Sequence, residues 1–246
     1  KNYFDRCVDE KLTVGGEYYV SMVYKPMMED NLNIRVYKLE HFMQWGVPSD
    51  LEEYCYFSNM FNSIITKKPP PSHKGSLLLP MVGSGSRFSD NGYTLPKPLV
   101  EVSGLPMATQ AMMDLPITDS QRIILRSDMP EVDKLKDAIK IYSTSAEFSI
   151  LDHMTDGQAT TCVEGSNGLV SNDPVTIAAC DNGMLYDPDK FLTLMNSNDV
   201  DIIVWAARGY PGAIRNPEMY GWIDADKTGT INNVSVKKPL NNPKTD

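Results

Sequence analysis

A glycine- and serine-rich loop flanked by two cations is the stretch of this chain best suited to chemistry. Gly83, Ser84, Gly85 and Ser86 follow directly on the apolar run Ser76–Val82, Arg87 closes the loop, and Lys97 comes ten residues later behind Pro96. Glycines let consecutive backbone N–H groups turn into a concave nest and let a phosphate approach closely. Arg87 would add a forked cation and Lys97 a point charge. Two familiar phosphate loops are excluded. Phe88 stands where a dinucleotide fingerprint needs its third glycine, and no Gly-Lys-Ser/Thr follows for a P-loop. A plain β-to-α turn would use the same glycines, and spacing alone leaves the two readings even.

Such a loop needs a buried strand before it and a sheet around it. Ser76–Val82 is continuous and apolar, as a strand covered on both faces would be. Met107–Leu115 reads as a helix, Arg122–Leu125 as a strand, and 130–142 as a helix opened by Pro130 with Val132, Leu135 and Ile139 at helical spacing. Phe148–Leu151 and Val175–Ala179 read as strands, Pro188–Met195 as a helix, and Val200–Ala206 as a further strand. This alternation predicts βαβ units around a mostly parallel sheet. Trp222–Ala225 and Ile231–Val236 flank a turn at Asp226–Gly229, which predicts a hairpin adding an antiparallel element to that sheet.

Upstream, Glu17–Asp30 spaces Tyr19, Met22, Val23 and Met27 on one helical face, interrupted by Pro26. Ile34–Leu39 alternates like a strand. Ser49–Phe61 reads as a helix with Ser49 as N-cap and Glu52 at the third position. Three consecutive prolines, Pro69 to Pro71, mark 63–75 as a stiff linker. The expected organisation is therefore 1–62, a linker at 63–75, and 76–246.

The 246 residues suffice for one large or two small domains, and the composition, 41% hydrophobic and 22% charged, is that of an ordinary globular chain. No apolar run approaches the roughly 20 residues that a membrane span needs. A net charge of −9 argues against a nucleic-acid backbone as main partner while leaving room for a small anion in a local basic loop. Cys7, Cys55, Cys162 and Cys180 are scattered, with neither zinc-site spacing nor a disulfide framework, so a cytoplasmic protein is expected. His41, His73 and His153 sit in no triad-like context and are expected to be structural or surface residues.

The loop Gly83–Phe88, followed by Gly92-Tyr93 and Pro96-Lys97-Pro98-Leu99, resembles the signature of sugar-phosphate nucleotidyltransferases of the glucose-1-phosphate thymidylyl- and cytidylyltransferase type. Other stretches fall in the same order. Asp156-Gly157-Gln158 is similar to that family's nucleobase-contacting loop, and Ile177 to Asp181 to its strand end with a metal-binding Asp. Tyr220-Gly221-Trp222 and Val236 to Pro239 are similar to its sugar-phosphate segment. The resemblance implies a Rossmann-like α/β fold of the nucleotide-diphospho-sugar transferase type, with a mixed, mostly parallel sheet flanked by helices. It implies Mg²⁺, an NTP and a phosphorylated small-molecule acceptor, and release of pyrophosphate during activated-sugar or surface-polysaccharide synthesis.

By that resemblance Gly83, Ser84, Gly85, Ser86 and Gln158 are nucleotide-binding, and Arg87, Lys97 and Asp181 catalytic. Asp181 is also the metal ligand, and Tyr220, Gly221 and Lys238 face the acceptor. Gly16 to Val20 and Phe42 to Leu51 are similar to the closing third of such a domain, so tail precedes head. A window from a tandem pair is favoured over a permuted domain, and pairing between the pieces or a homo-oligomer would complete the sheet. Gln44 stands where many members carry a second metal-binding Asp, and Val236 or Lys237 where an acid often precedes the acceptor Lys. The rivals are a non-catalytic nucleotide- or sugar-phosphate-binding module and, less favoured, a glycosyltransferase of related fold.

Overall fold

The computed structural model describes residues 1–169 and 172–240; the parts of the 76–246 stretch at 170–171 and 241–246 lie outside the described residues. The chain divides into two compact units, Lys1–Tyr54 and Cys55–Asp246. The division falls within a helix, upstream of the proline run.

In the first unit, helix α1 spans Asn2–Asp9, a 3₁₀ turn covers Val20–Val23, and α2 spans Tyr24–Glu29. Arg6 on α1 ties this unit together through Glu10 at 2.6 Å, Glu29 at 2.7 Å and Asp30 at 3.0 Å. Of the helical face expected over Glu17–Asp30, interrupted by Pro26, the structure forms the 3₁₀ turn and α2, from Val20 onward. Pro26 is accommodated in the first turn of α2, where its missing N–H costs no helical bond. Ile34–Leu39 forms no strand: Val36 and Tyr37 stand almost fully exposed, and no described strand pairs with this segment to satisfy its backbone. Helix α3, Pro48–Ile65, starts at Pro48, so Ser49 lies within its first turn rather than flanking it.

The second unit is built on strand β1, Ser72–Pro80, which starts four residues earlier than Ser76. Helix α4, Ser86–Ser89, follows the glycine loop, and the two-residue strands β2, Glu101–Val102, and β3, Leu105–Pro106, form a small hairpin. Ser103 and Gly104 both have positive φ, 52° and 86°, which suits a tight two-residue turn. Then come α5, Met107–Met112; β4, Ile117–Arg126; α6, Val132–Tyr142; β5, Ala146–Leu151; α7, Gln158–Gly165; and β6, Val175–Ile177. Helices α8, Pro188–Met195, and α9, Pro211–Arg215, precede the hairpin of β7, Gly221–Ala225, and β8, Ile231–Val236.

The main sheet has the order β5-β4-β1-β6, with every pair parallel. The α/β class and the parallel sheet therefore hold. Because the side-chain period of a strand is two, β1 feeds both faces. Leu77 and Leu79 join Ile123, Leu125, Leu135 and Ile139 in the larger core, while Leu78 joins Ile124 and Val82 in a smaller one. Helices α5 and α6 cover the first face and α7 the second, where Gly165 packs against Ile124.

In the second unit two expectations fail. Val200–Ala206 is not a strand: Trp205 instead stacks on Phe191 of α8 at 4.9 Å, and Ile202 is exposed. The β7–β8 hairpin is a separate two-stranded sheet, not an antiparallel part of the main one. Its turn is the expected one, with the Asp226 carboxylate accepting from the N–H groups of Thr228 at 2.8 Å and Thr230 at 3.0 Å.

Candidate functional site

From β1 the chain steps outward to β4 and β5, then crosses back to lay β6 on the other side of β1. In an open parallel sheet such a reversal leaves a crevice at the carboxyl ends of the two strands, because their following loops turn to opposite faces. A cavity of about 590 Å³ lies there, walled by Pro80 to Phe88, Pro96 to Pro98, Arg126, Met154, Thr155, Gly157, Gln158 and Ala179 to Asp181 among others.

The glycine loop forms one wall. Gly85 has φ of +65°, and a Cβ there would lie 3.3 Å from the Lys97 side chain, so a left-handed turn and a close approach both favour glycine. The Phe88 N–H donates to the Gly85 carbonyl at 2.9 Å, turning the loop into α4. Ser84, Ser86 and Arg87 are exposed to the cavity side of this turn.

Lys97 opens a short 3₁₀ turn anchored by buried Pro98 and Leu99, and its ammonium lies 5.8 Å from the Phe88 ring centre. It is ion-paired with the carboxylate of Asp181. Asp181 follows Cys180, whose side chain is part of the larger core. Burial, reinforced by the neighbouring Asp181 charge, pushes the Cys180 thiol up to about 11. That thiol is thus no nucleophile at neutral pH.

Gln158 is the first residue of α7, after Gly157 with φ of +154°. Thr155 and Thr161 brace this corner: the Thr161 hydroxyl donates to the Gly157 carbonyl at 3.0 Å and accepts from the Thr155 hydroxyl at 2.5 Å. Gln158 is thereby presented on the wall of the same cavity as Lys97, with both a donor and an acceptor to offer.

Gly83, Ser84, Gly85, Ser86, Arg87, Lys97, Gln158 and Asp181 all line this one cavity. Tyr220, Gly221 and Lys238 do not. Tyr220 packs on Tyr210 with ring centres 5.8 Å apart, Gly221 pairs with Val236 at the start of β7, and Lys238 follows β8. The histidines stand apart too. His73 contacts the Lys74 carbonyl and Thr176, and His153 sits between Asp152 at 2.9 Å and Glu164 at 3.2 Å. Gln44 belongs to the first unit.

Arg126 is the functional candidate that sequence reading passed over. It ends β4, and its guanidinium is mostly buried in the cavity wall. One terminal nitrogen donates to the Val82 carbonyl at 2.9 Å, just before the glycine loop, while Nε bonds Asp128. The signal was a charge closing the apolar run Ile123–Leu125, easily taken for the point where the strand reaches solvent.

Among the described residues no group of three or more His, Cys, Asp or Glu side chains could enclose a metal. Asp181 is the one carboxylate on the described cavity wall. That set fits a hard divalent cation carried in largely by phosphate oxygens and held by a single carboxylate. No described helix is long and apolar enough to cross a membrane.

Comparison with protein-family models and with curated protein sequences gives no match. Among solved structures, the chain is similar to a nucleoside-diphosphate-sugar pyrophosphorylase from Vibrio cholerae RC9, with 17% identity, TM-score 0.45 and 68% of each chain covered. It is also similar to the inositol-1-phosphate CTP transferase of T. maritima, at 13% identity and TM-score 0.48 over 70% of this chain and 66% of that one. A UTP-bound UGPase from Acinetobacter baumannii gives 13% identity and TM-score 0.47 over 70% and 71%.

Proposed function

We propose that this chain is an enzyme of the sugar-phosphate nucleotidyltransferase type, joining an NTP to a sugar 1-phosphate or similar phosphorylated small molecule and releasing pyrophosphate. The observation that carries this reading is the Lys97–Asp181 pair lining the switch-point cavity beside the Gly83–Arg87 loop. In-line attack of an acceptor phosphate on an α-phosphorus needs positioning and charge neutralisation more than a protein nucleophile. The absence of any histidine or reactive thiol from the described wall is consistent with that demand.

In this proposal the backbone of Gly83 to Ser86 cradles triphosphate oxygens and Arg87 takes the leaving pyrophosphate. Lys97 lies over the α-phosphate and the incoming acceptor oxygen, since an ammonium bound to one carboxylate oxygen still has donors to spare. Gln158 reads a base edge. Asp181 would hold Mg²⁺, which supplies neutralising charge to phosphate oxygens when bound. Activated-sugar or surface-polysaccharide synthesis in the cytoplasm is the setting this chemistry suits. A homo-oligomer or paired domain would add strands beside β6, whose Val175 and Ile177 are half exposed.

Tyr220, Gly221 and Lys238 retain acceptor roles in this proposal only if the hairpin closes on the cavity. Their position outside its wall is the observation that favours the second reading, a nucleotide-binding module without turnover. Pyrophosphate release with Mg²⁺ separates the two, screening four NTPs and dTTP against sugar 1-phosphates and phosphocholine. Release that depends on one NTP–acceptor pair establishes the enzyme. Silence with a nucleotide-induced rise in melting temperature selects the binding module, and silence in both discards the site.

A further inference from the structure

Asp114 lies just beyond α5 and is buried, 7% exposed. Its Oδ1 takes the ammonium of Lys67, from the segment between α3 and β1. Its Oδ2 accepts the backbone N–H of Met184 at 2.7 Å. We propose that Asp114 is a positioning residue for Asp181, acting through the Asp181–Met184 loop, with Lys67 holding the Asp114 carboxylate in place. The proposal rests on the reading of Asp181 as the metal-holding group.

The loop is fixed on both sides of Asp181. Upstream, the Cys180 side chain is embedded in the larger core; downstream, Met184 packs on that same core and its amide is bound to Asp114. Only Asn182 and Gly183 separate Asp181 from the Met184 anchor, so displacement of that amide is passed directly to the carboxylate. Gly183 is fitted to the arrangement: a Cβ there would lie 3.2 Å from the Asp114 Oδ2. An isolated buried carboxylate is expensive, and the Lys67 ammonium is the partner that offsets its burial. A buried ion pair contributes little net stability, so its value here is geometric. The neighbouring phenols register the charge: burial first, then Asp114, pushes Tyr186 up to about 12 and raises Tyr142.

The test uses the full chain and three variants. Asp114→Asn keeps an oxygen acceptor and removes the charge. Gly183→Ala presses a methyl group on Oδ2 without touching Lys67. Lys67→Met combined with Asp114→Asn removes both charges, for the case in which the single change strands the Lys67 ammonium and unfolds the chain. Two quantities are measured: hydrogen exchange of the amides of residues 181–184, and the MgCl₂ concentration giving half-maximal binding of whichever triphosphate binds the parent. Exchange at Met184 should quicken and the Mg²⁺ requirement should rise, each by about tenfold, as when an outer partner of a metal ligand is removed. Exchange elsewhere and the melting temperature should stay near the parent's.

Unchanged exchange at 181–184, or a uniform rise across the fold with a lower melting temperature, overturns the proposal. So does quicker local exchange with an unaltered Mg²⁺ requirement. If the parent binds none of the triphosphates, the functional reading falls and the metal role with it, while the exchange data alone decide whether Asp114 anchors the loop.

Discussion

The ammonium of Lys97 and the carboxylate of Asp181 are joined across 84 residues of sequence. Lys97 arrives from the turn after the glycine loop of β1, and Asp181 from the path beyond β6, so the pair spans the switch between the two strands. Both side chains are partly exposed, 23% and 33%, and an ion pair of that kind adds little to folding stability. Its consequence is placement: a cation and a carboxylate stand at one point beside the glycine loop.

Lys97→Ala should lower pyrophosphate release by roughly 100- to 1000-fold, the range expected when a preorganised charge is removed from a transition state. Steady-state assays under saturating substrates measure it. Since the cation acts on charge that develops during transfer, the loss should fall on kcat more than on KM. A decline smaller than about tenfold would remove Lys97 from the catalytic set.

Asp181→Asn tests the other half of the pair. An amide is a poor ligand for a hard cation, so Mg²⁺-dependent turnover should disappear while nucleotide affinity stays within about tenfold of the parent's. Calorimetric titration with the triphosphate, alongside the release assay, shows both. Parent-like turnover in this variant would sink the metal assignment.

Gly75 carries a stability prediction. Its φ is +125°, and a Cβ there would fall 2.1 Å from the carbonyl oxygen of Pro174. The contact cannot be relieved cheaply, because that same carbonyl accepts the Ser76 N–H at 2.9 Å and leads the chain into β6. Gly75→Ala should therefore destabilise by about 1–3 kcal/mol or more through backbone strain. Urea unfolding should show an earlier midpoint at similar slope, and an unmoved midpoint would contradict the geometry.

His153 gives a pH signature. Hydrogen bonds donated to Asp152 and then to Glu164 raise its pKa above the ordinary 6.5. A group that binds its proton more tightly when folded stabilises the fold below the unfolded pKa, and that contribution is lost as pH rises through the folded value. The melting-temperature difference between the parent and His153→Gln should thus be largest below pH 6.5 and fade as the solution becomes alkaline. The effect should be small, since the group is exposed and screened. A difference that does not change with pH would show that the two carboxylates leave the imidazole indifferent.

Much of the site was legible because its signals are local. Gly83 to Arg87 announce a turn after a buried strand, and the apolar runs at Leu77–Leu79 and Ile123–Leu125 announce strands covered on two faces; both stand in the structure. Pro188 opening α8, and Asp226 with Gly229 making the β7–β8 turn, were equally plain, since capping and turn geometry depend on a few adjacent residues. Arg126 was missed because a charge at the end of an apolar run looks the same whether it meets solvent or bends into a wall. Val200–Ala206 misled because alternation states which residues suit a strand, not whether a neighbouring strand is there to bond it.

By itself, then, the amino-acid sequence determined the α/β class with its parallel strands and the glycine turn after a buried strand, both consequences of side-chain period and turn chemistry. Tertiary structure decided which strands are neighbours, that the hairpin stands apart from the main sheet, and that Lys97 meets Asp181 while Asp114 holds the loop beyond it. Strand order and charge meetings arise from packing between segments tens of residues apart, where the free energy depends on the whole arrangement and no local pattern records it.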